Sequence, residues 1–188
     1  MSSHPWKHPA DCADDSSVFF SLFPSQIGWI GVVGRGEIVS SVLVGHASGA
    51  SVRRAVRKSE GSADRAKQLV EADWYPKLRQ HLQEYAAGKR VDFEEFELQL
   101  PERTAFRDRV LAATRRLGYG ETTTYGELAA LVGHPKAARA VGTVMSTNRF
   151  PILIPCHRVL AAGGKLGGYT SPAGIGLKQR LLDMEQSG

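Results

Sequence analysis

The run Ile152-Leu153-Ile154-Pro155-Cys156-His157-Arg158-Val159 puts a cysteine beside a histidine and an arginine at the end of an apolar stretch. A cysteine in apolar surroundings is ordinarily a small buried hydrophobe. One flanked by an imidazole and a guanidinium is different, because positive neighbours favour the thiolate, and the thiolate is the reactive form. The chemistry on offer is attack by sulfur on an electrophile. Neighbouring residues of a strand face opposite sides. Cys156 and His157 can therefore cooperate only where the chain turns, and Pro155 is a reason for a strand to stop there. A zinc reading is weak, since a structural site needs a full ligand set at recognisable spacing and none surrounds this pair. The other cysteine, Cys12, lies in a polar N-terminal stretch, so a disulfide framework is not expected and a reduced compartment fits better.

The 188 residues suffice for one domain or two small ones with a genuine core. Hydrophobic content of 42% and charged content of 23% match an ordinary globular protein. No apolar run approaches the roughly 20 residues of a membrane span. Met1 to Asp15 carries proline, histidine and acidic residues where a signal peptide would be apolar, so an intracellular protein is expected. The net charge of +5 is unevenly spread. Residues 1–100 hold 12 Lys/Arg against 13 Asp/Glu, whereas residues 101–188 hold 12 against 6. A solvated basic face explains such an excess, and so does a second half that meets a polyanion.

The elements that must position the cysteine follow from the pattern. Residues 1–16 read as a flexible arm. The β-rich runs 18–23, 27–33 and 37–44, punctuated by Pro24-Ser25-Gln26 and Gly34-Arg35-Gly36, read as an antiparallel meander. Residues 62–87 read as helix with Leu69, Trp74, Leu78, Leu82 and Tyr85 on one face, kinked or split at Pro76 and ended by Gly88. Residues 91–100 suit a further strand or a linker, and Pro101 a domain boundary. Beyond it, Thr104 to Leu117 reads as helix with Phe106, Val110, Leu111 and Ala113 inward. Thr124 can cap a short helix from Tyr125 to Val132. Gly133-His134-Pro135 turns the chain into a helix from Lys136 to Ser146, which is helix-turn-helix spacing. A glycine-rich loop, 163–176, precedes a last helix from Leu177 to Glu185.

Pro155-Cys156-His157-Arg158-Val159 resembles the active-site signature of the O6-alkylguanine-DNA alkyltransferases, the methylated-DNA–protein-cysteine methyltransferases. The resemblance runs from about Phe106 to Glu185. It includes Tyr119-Gly120-Glu121, Tyr125-Gly126-Glu127-Leu128-Ala129, Lys136-Ala137-Ala138-Arg139-Ala140-Val141-Gly142, and Asn148 ahead of Pro151-Ile152-Leu153-Ile154-Pro155. It implies an α+β protein. A small N-terminal antiparallel-sheet α/β domain, ribonuclease H-like, spans 17–100, and a mainly helical winged helix-turn-helix domain for DNA binding and alkyl transfer spans 101–188.

It also implies roles. Cys156 would be the nucleophile, His157 its base through a water, Glu185 the orienter of His157, and Asn148 the hinge between the DNA-binding element and the site. Tyr125 would protonate the departing base, with Val159, Tyr169, Thr170 and Ser171 lining the pocket. The reaction would be DNA repair by direct reversal, an irreversible and single-turnover methyl or alkyl transfer from O6-alkylguanine to Cys156, with no cofactor. O4-alkylthymine is left open. The partner would be double-stranded DNA, engaged by a monomer, with cooperation between copies left open. No membrane is involved, and the location would be the cytoplasm of a prokaryote or the nucleus of a eukaryote.

O6 of guanine lies inside the duplex, so the base must be flipped out. The helix from Lys136 suits that task, because Ala137, Ala138, Ala140 and Gly142 permit close approach to a minor groove and Arg139 can fill the gap left by the base. Base-edge reading would need several long polar side chains. Thr124, Lys136 and Arg107 are candidate phosphate contacts. Some eukaryotic members hold an N-terminal zinc. Here only Cys12, His4 and His8 are at hand, so no metal is expected, and the stretch from Tyr169 to Glu185 is slightly longer than in the mammalian form. Three other readings compete: a lesion binder without transfer, a winged-helix transcription factor and a thiol hydrolase. Cys156 argues against the first, the Cys-His-Glu set is superfluous to the second, and no oxyanion hole is visible for the third.

Overall fold

The computed structural model describes residues 6–7, 17–59, 69–100 and 104–187. The chain divides into two units, Met1–Pro101 and Glu102–Gly188. In the first, the runs of alternating and β-branched residues form strands β1 (Trp6–Lys7), β2 (Val18–Ser25), β3 (Gly28–Arg35), β4 (Ile38–His46), β5 (Leu69–Glu71) and β6 (Glu97–Gln99). Their order in the sheet is β1-β6-β4-β3-β2-β5. The meander β2-β3-β4 is antiparallel, with Phe20 opposite Val33 and Val32 opposite Val42. The flanking strands pair parallel, β5 with β2, β6 with β4 and β1 with β6. The sheet is therefore mixed and wider than the expected antiparallel one. Of the expected N-terminal arm, Trp6–Lys7 forms β1, and the rest lies outside the described residues.

Helix α1 (Gly49–Ser59) packs on β2, β3 and β4. Val52 and Val56, one turn apart, complete a cluster with Val18, Phe20 and Val33. Gly31 of β3 makes the close approach possible, because a Cβ there would overlap Val52 Cγ1. The sequence reading did not include α1, whose apolar stripe is only two valines among basic residues. It also placed helix over 62–87. Residues 69–71 are instead strand β5, and α2 starts at Pro76 and runs to Ala86. A proline fits the first turn, where its missing N–H is not needed, and bars a helix from continuing through it. Leu69 thus packs on the sheet cluster and Trp74 precedes the helix, whereas Leu78, Leu82 and Tyr85 are buried on α2 as expected. Of residues 91–100 only Glu97–Gln99 is strand. Phe93 and Phe96 meet Tyr85 and His81 edge-on, with centroids 6.0 and 5.2 Å apart.

The second unit is mainly helical. Helix α3 (Ala105–Arg115) is capped by Thr104, whose hydroxyl accepts from Arg107 N, and it buries Val110, Leu111 and Thr114. Phe106 and Ala113, expected inward, are half-buried. Strand β7 (Thr123–Thr124) leads into α4 (Tyr125–Leu131) through a full capping box: Thr124 Oγ1 accepts from Glu127 N, and Glu127 Oε2 accepts from Thr124 N. Helix α5 runs from Ala138 to Ser146, later in onset than expected, since Lys136 sits in a turn and Ala137 is the cap position. Strand β8 (Val159–Leu160) pairs parallel with β7, and α6 (Gly174–Ser187) closes the unit. Among the described residues no helix is long and apolar enough to cross a membrane.

Gly31→Ala is expected to destabilise the protein by about 1–3 kcal/mol through overpacking against α1. Gly31→Ala with Val52→Ala should cost less than the two single changes together, as measured by urea denaturation. A strictly additive pair would show that the two positions do not compete for the same space.

Candidate active site

The reactive cysteine is placed by a tight loop, not by a strand. Residues 150–154 are apolar and buried, yet they turn. Ile154 N donates to Phe150 O at 2.8 Å, and Ile152 sits at φ 76°. A buried β-branched residue in the left-handed region is strained, and the expected strand cannot pass through it. Asn148 holds the turn at both ends, accepting from Phe150 N at 3.0 Å and donating to Ile154 O at 2.9 Å. The chain then enters a short 3-10 turn, Cys156–Arg158, opened by Cys156 N donating to Ile154 O at 2.7 Å. This is the bend that lets consecutive side chains act together.

His157 and Arg158 both reach one buried carboxylate. Glu185 Oε1 lies 2.9 Å from His157 Nε2 and 2.8 Å from Arg158 Nη2, and Oε2 accepts from Arg158 Nε at 2.8 Å and from Gly120 N at 3.1 Å. Arg158 Nη1 also donates to Leu117 O at 2.5 Å. His157 is 0% exposed and Glu185 3%. On α6, Lys178, Leu181, Leu182 and Glu185 share one buried face, at the spacing of successive helical turns. Lys178, also wholly buried, donates to Val159 O at 2.6 Å and stands 6.0 Å from the Tyr125 ring centroid.

Burial is the largest influence on the titration of Cys156, His157, Tyr125 and Lys178. It pushes the Cys156 thiol up, against the Asn148 side chain, the Lys178 charge and the backbone N–H groups of Cys156 and His157, all of which favour the thiolate. Burial pushes the His157 imidazole down, against Glu185. Burial raises the Tyr125 phenol, with a smaller contribution from Cys156, and lowers the Lys178 ammonium. The resting pair is thus a neutral thiol beside a neutral imidazole.

A cleft of about 760 Å³ opens against α5, lined by Ala138, Arg139, Gly142 and Ser146 on one side and by Tyr125, Tyr169 and Thr170 on the other. The Cys156 sulfur is in electrostatic reach of both tyrosines. The structure therefore gathers Cys156, His157, Glu185, Asn148, Tyr125, Tyr169 and Thr170 around one region, with Arg139, Ala138, Gly142 and Thr124 on the cleft wall. Two expected pocket residues are placed differently. Val159 is 0% exposed, its N–H donating to Cys156 O and its carbonyl accepting from Lys178. Ser171 turns its hydroxyl to Ala173 N instead, at 3.2 Å. Ala137 is half-buried, whereas Ala140 and Lys136 are exposed without lining the cleft. Arg107 is engaged by Thr147, through Oγ1 at 2.9 Å and the carbonyl at 3.2 Å, which competes with the expected phosphate contact. His4, His8 and Cys12 lie outside the described residues, among which no group of His, Cys, Asp and Glu is arranged to hold a metal.

Residues 105–187 match the family model for the DNA-binding domain of 6-O-methylguanine DNA methyltransferase. The methylated-DNA–protein-cysteine methyltransferase of Methanosarcina acetivorans is 42% identical over 116 residues, 61% of this chain and 71% of that relative. The chain belongs to the methylated-DNA–protein-cysteine methyltransferase family. The methyltransferase of that name from Mycobacterium tuberculosis is 46% identical over 106 residues, 56% of this chain and 62% of its own. The crystal structure of Mycobacterium tuberculosis OGT in complex with DNA matches with a TM-score of 0.72 at 32% identity, covering 90% of this chain and 93% of that one. The O6-methylguanine-DNA methyltransferase of Pyrococcus kodakaraensis matches at 0.65 and 26% identity, covering 88% and 98%. The mixed sheet-and-helix fold is shared with these methyltransferase structures.

Sequence reasoning missed several parts of this methyltransferase site: Lys178, the Glu185 ion pair with Arg158, and the Gly120 N–H. Lys178 carried a signal, because it stands one helical turn from Leu181 and Leu182 on a face that is otherwise apolar. Arg158 was noted only as a neighbour favouring the thiolate, and nothing in the sequence ties it to a carboxylate 27 residues on. Glu185→Ala leaves Arg158 buried without its counter-charge. It is expected to cost about 3–5 kcal/mol by urea denaturation, with Glu185→Ala, Arg158→Met recovering much of that loss. A single-variant cost below about 1 kcal/mol, the worth of an exposed pair, would contradict a buried pair.

Proposed function

We propose that this protein repairs alkylated DNA by moving the alkyl group from O6 of a flipped guanine onto Cys156, once per molecule. The observation that carries the reading is the sulfur's setting. Cys156 is buried, its charge reaches Tyr125 and Tyr169 of the cleft walled by α5, and it precedes an imidazole held by a buried carboxylate. The arrangement is the nucleophile, base and orienter set of activated thiols. His157, polarised by Glu185, takes the thiol proton through a water. The sulfur lone pair attacks the alkyl carbon, the carbon–O6 bond breaks, and its electrons stay on the guanine. Tyr125, kept protonated by burial, donates the proton that makes the base a competent leaving group. The thioether has no route back, so the protein is consumed, and no cofactor takes part.

Residues 17–100 act in this reading as a ribonuclease H-like α/β domain. Residues 101–188 act as a winged helix-turn-helix domain, with α4 and α5 as the helix pair and β7–β8 as the wing. Helix α5 meets the minor groove of double-stranded DNA through Ala137, Ala138, Ala140 and Gly142, while exposed Arg139 fills the space of the extruded base. Thr124 and Lys136 hold phosphates. Tyr169 and Thr170 form the lid, with Asn148 as the hinge. Binding is largely independent of sequence and weakens with salt. The protein works as a monomer wherever the genome lies, in the cytoplasm of a prokaryote or the nucleus of a eukaryote.

Incubation with a duplex containing O6-methylguanine should add the mass of one methyl group to Cys156, with product never exceeding protein. Cys156→Ala should bind the lesion and gain nothing. Turnover beyond one equivalent, or a lesion bound without mass gain by the unaltered protein, would sink the proposal in favour of a hydrolase or a lesion binder.

Arg139→Ala should slow transfer from duplex DNA by roughly 10- to 100-fold, because flipping costs a few kcal/mol, and leave reaction with free O6-benzylguanine unchanged. Equal slowing of both substrates would remove Arg139 from the flipping step.

A further inference from the structure

Residues 117–120 join α3 to the strand that leads into Tyr125, and three of the four touch the buried ion pair or the helix that carries it. The Leu117 carbonyl accepts from Arg158 Nη1 at 2.5 Å, and the Gly120 N–H donates to Glu185 Oε2 at 3.1 Å. Between these two contacts, the Arg158 guanidinium stands over the Tyr119 ring, 5.9 Å from its centroid, within reach of a cation–π attraction. The Tyr119 hydroxyl lies 3.5 Å from the Met184 carbonyl, one residue ahead of Glu185. Gly120 is at φ 77°, and a Cβ there would stand 3.1 Å from the Glu185 carbonyl, so the loop is seated on the backbone of α6 itself. The loop is also closed on itself, with Glu121 N donating to Gly118 O at 3.1 Å and Gly118 N to Glu121 Oε2 at 2.8 Å. An aromatic ring on a braced turn is thus held against the counter-charge of the carboxylate that orients His157.

We propose that Tyr119 is a positioning residue for the alkyl transfer: its ring holds the Arg158 guanidinium in line with Glu185 and so keeps Oε1 of that carboxylate on His157. The proposal rests on the reading of His157 as the base. Arg158 is 8% exposed, and a cation–π contact is strongest where the cation is desolvated. The ring also acts where a hydrogen bond cannot, because Glu185 and Leu117 O take the guanidinium N–H groups along its edge. The consequence for the base follows from charge. Glu185 favours the imidazolium of His157, whereas Arg158 disfavours it. A guanidinium that slips from the carboxylate leaves Glu185 less neutralised and His157 more basic. The titratable and charged groups around this imidazole are Glu185 and Lys178 from α6 and Cys156 and Arg158 from its own turn, while the Glu121 carboxylate of the loop is turned back to Gly118 N.

The test compares Tyr119→Phe, which keeps the ring, with Tyr119→Leu, which removes it, and with Tyr119→pentafluorophenylalanine, which keeps the shape and removes the negative ring face. The His157 imidazole is followed by NMR titration in protein carrying 15N-labelled histidine. Its titration should stay in place in Tyr119→Phe and move alkaline by about half a unit in the other two, the shift that a cation–π contact of ordinary strength supports. Transfer from O6-methylguanine duplex needs the neutral imidazole, so both should lose about threefold on the acid limb of the pH profile and nothing on the alkaline plateau. An unmoved titration in Tyr119→pentafluorophenylalanine overturns the proposal, even where Tyr119→Leu lowers the thermal midpoint, because the ring would then act by packing alone. A shift in Tyr119→Phe equal to that in Tyr119→Leu also overturns it, in favour of the hydroxyl contact with Met184. If the unaltered protein gains no methyl group, the repair reading fails, while the imidazole titration still decides the role of Tyr119.

Discussion

A carboxylate removed from water is tolerated only with a counter-charge and a full set of hydrogen bonds. Glu185 has both, and the active-site architecture follows from how it gets them. Its counter-charge, Arg158, and its imidazole partner, His157, are adjacent in sequence. They can converge on one carboxylate only because the chain is wound into a 3-10 turn at Cys156–Arg158. The same turn carries Cys156 as its first residue. The ion pair that stabilises the fold is therefore also the device that orients the base.

The electrostatic balance of the site follows from burial. Four groups at the sulfur favour its charged form, yet desolvation outweighs them and keeps the thiol protonated. The same desolvation keeps His157 neutral and ready to accept a proton. A protonated sulfur is slow toward a chance electrophile. In the proposed reading that slowness has a use, because a protein that reacts once loses its function to any stray alkylation. Activation then waits for a base seated in the cleft, which completes the exclusion of water and gives the departing electrons a destination at Tyr125.

The parts legible in the sequence are those set by local chemistry. Thr124 and Glu127 announce a helix start, Pro155 announces the end of an apolar run, and the alternation through 18–44 announces the meander. What was misread depends on tertiary partners. Helix α1 shows two valines because Gly31 lets it lie so close to the sheet that two suffice. Strand β5 is three residues long and exists by pairing with β2. The left-handed Ile152 contradicts its own backbone preference and is held by Asn148 and by burial, which no local rule foresees. Lys178 looks like a solvated charge on an amphipathic helix until the groups facing it are known, and Glu185 was reached only through the family resemblance.

The cleft wall connects the two tasks that the proposed reading assigns to this unit. Gly167 packs so tightly on Tyr125 that an added Cβ would stand 2.5 Å from the phenolic oxygen, so the glycine-rich loop can close over the ring only because it lacks side chains there. A few residues on, Thr170 ties that loop to the last turn of α5. The helix that bears small residues toward the cleft and the loop that covers it are thus joined by a hydrogen bond and share the same opening. A base passing between them meets both walls at once. In the proposed reading, seating α5 against a groove would act on the loop through that one hydrogen bond.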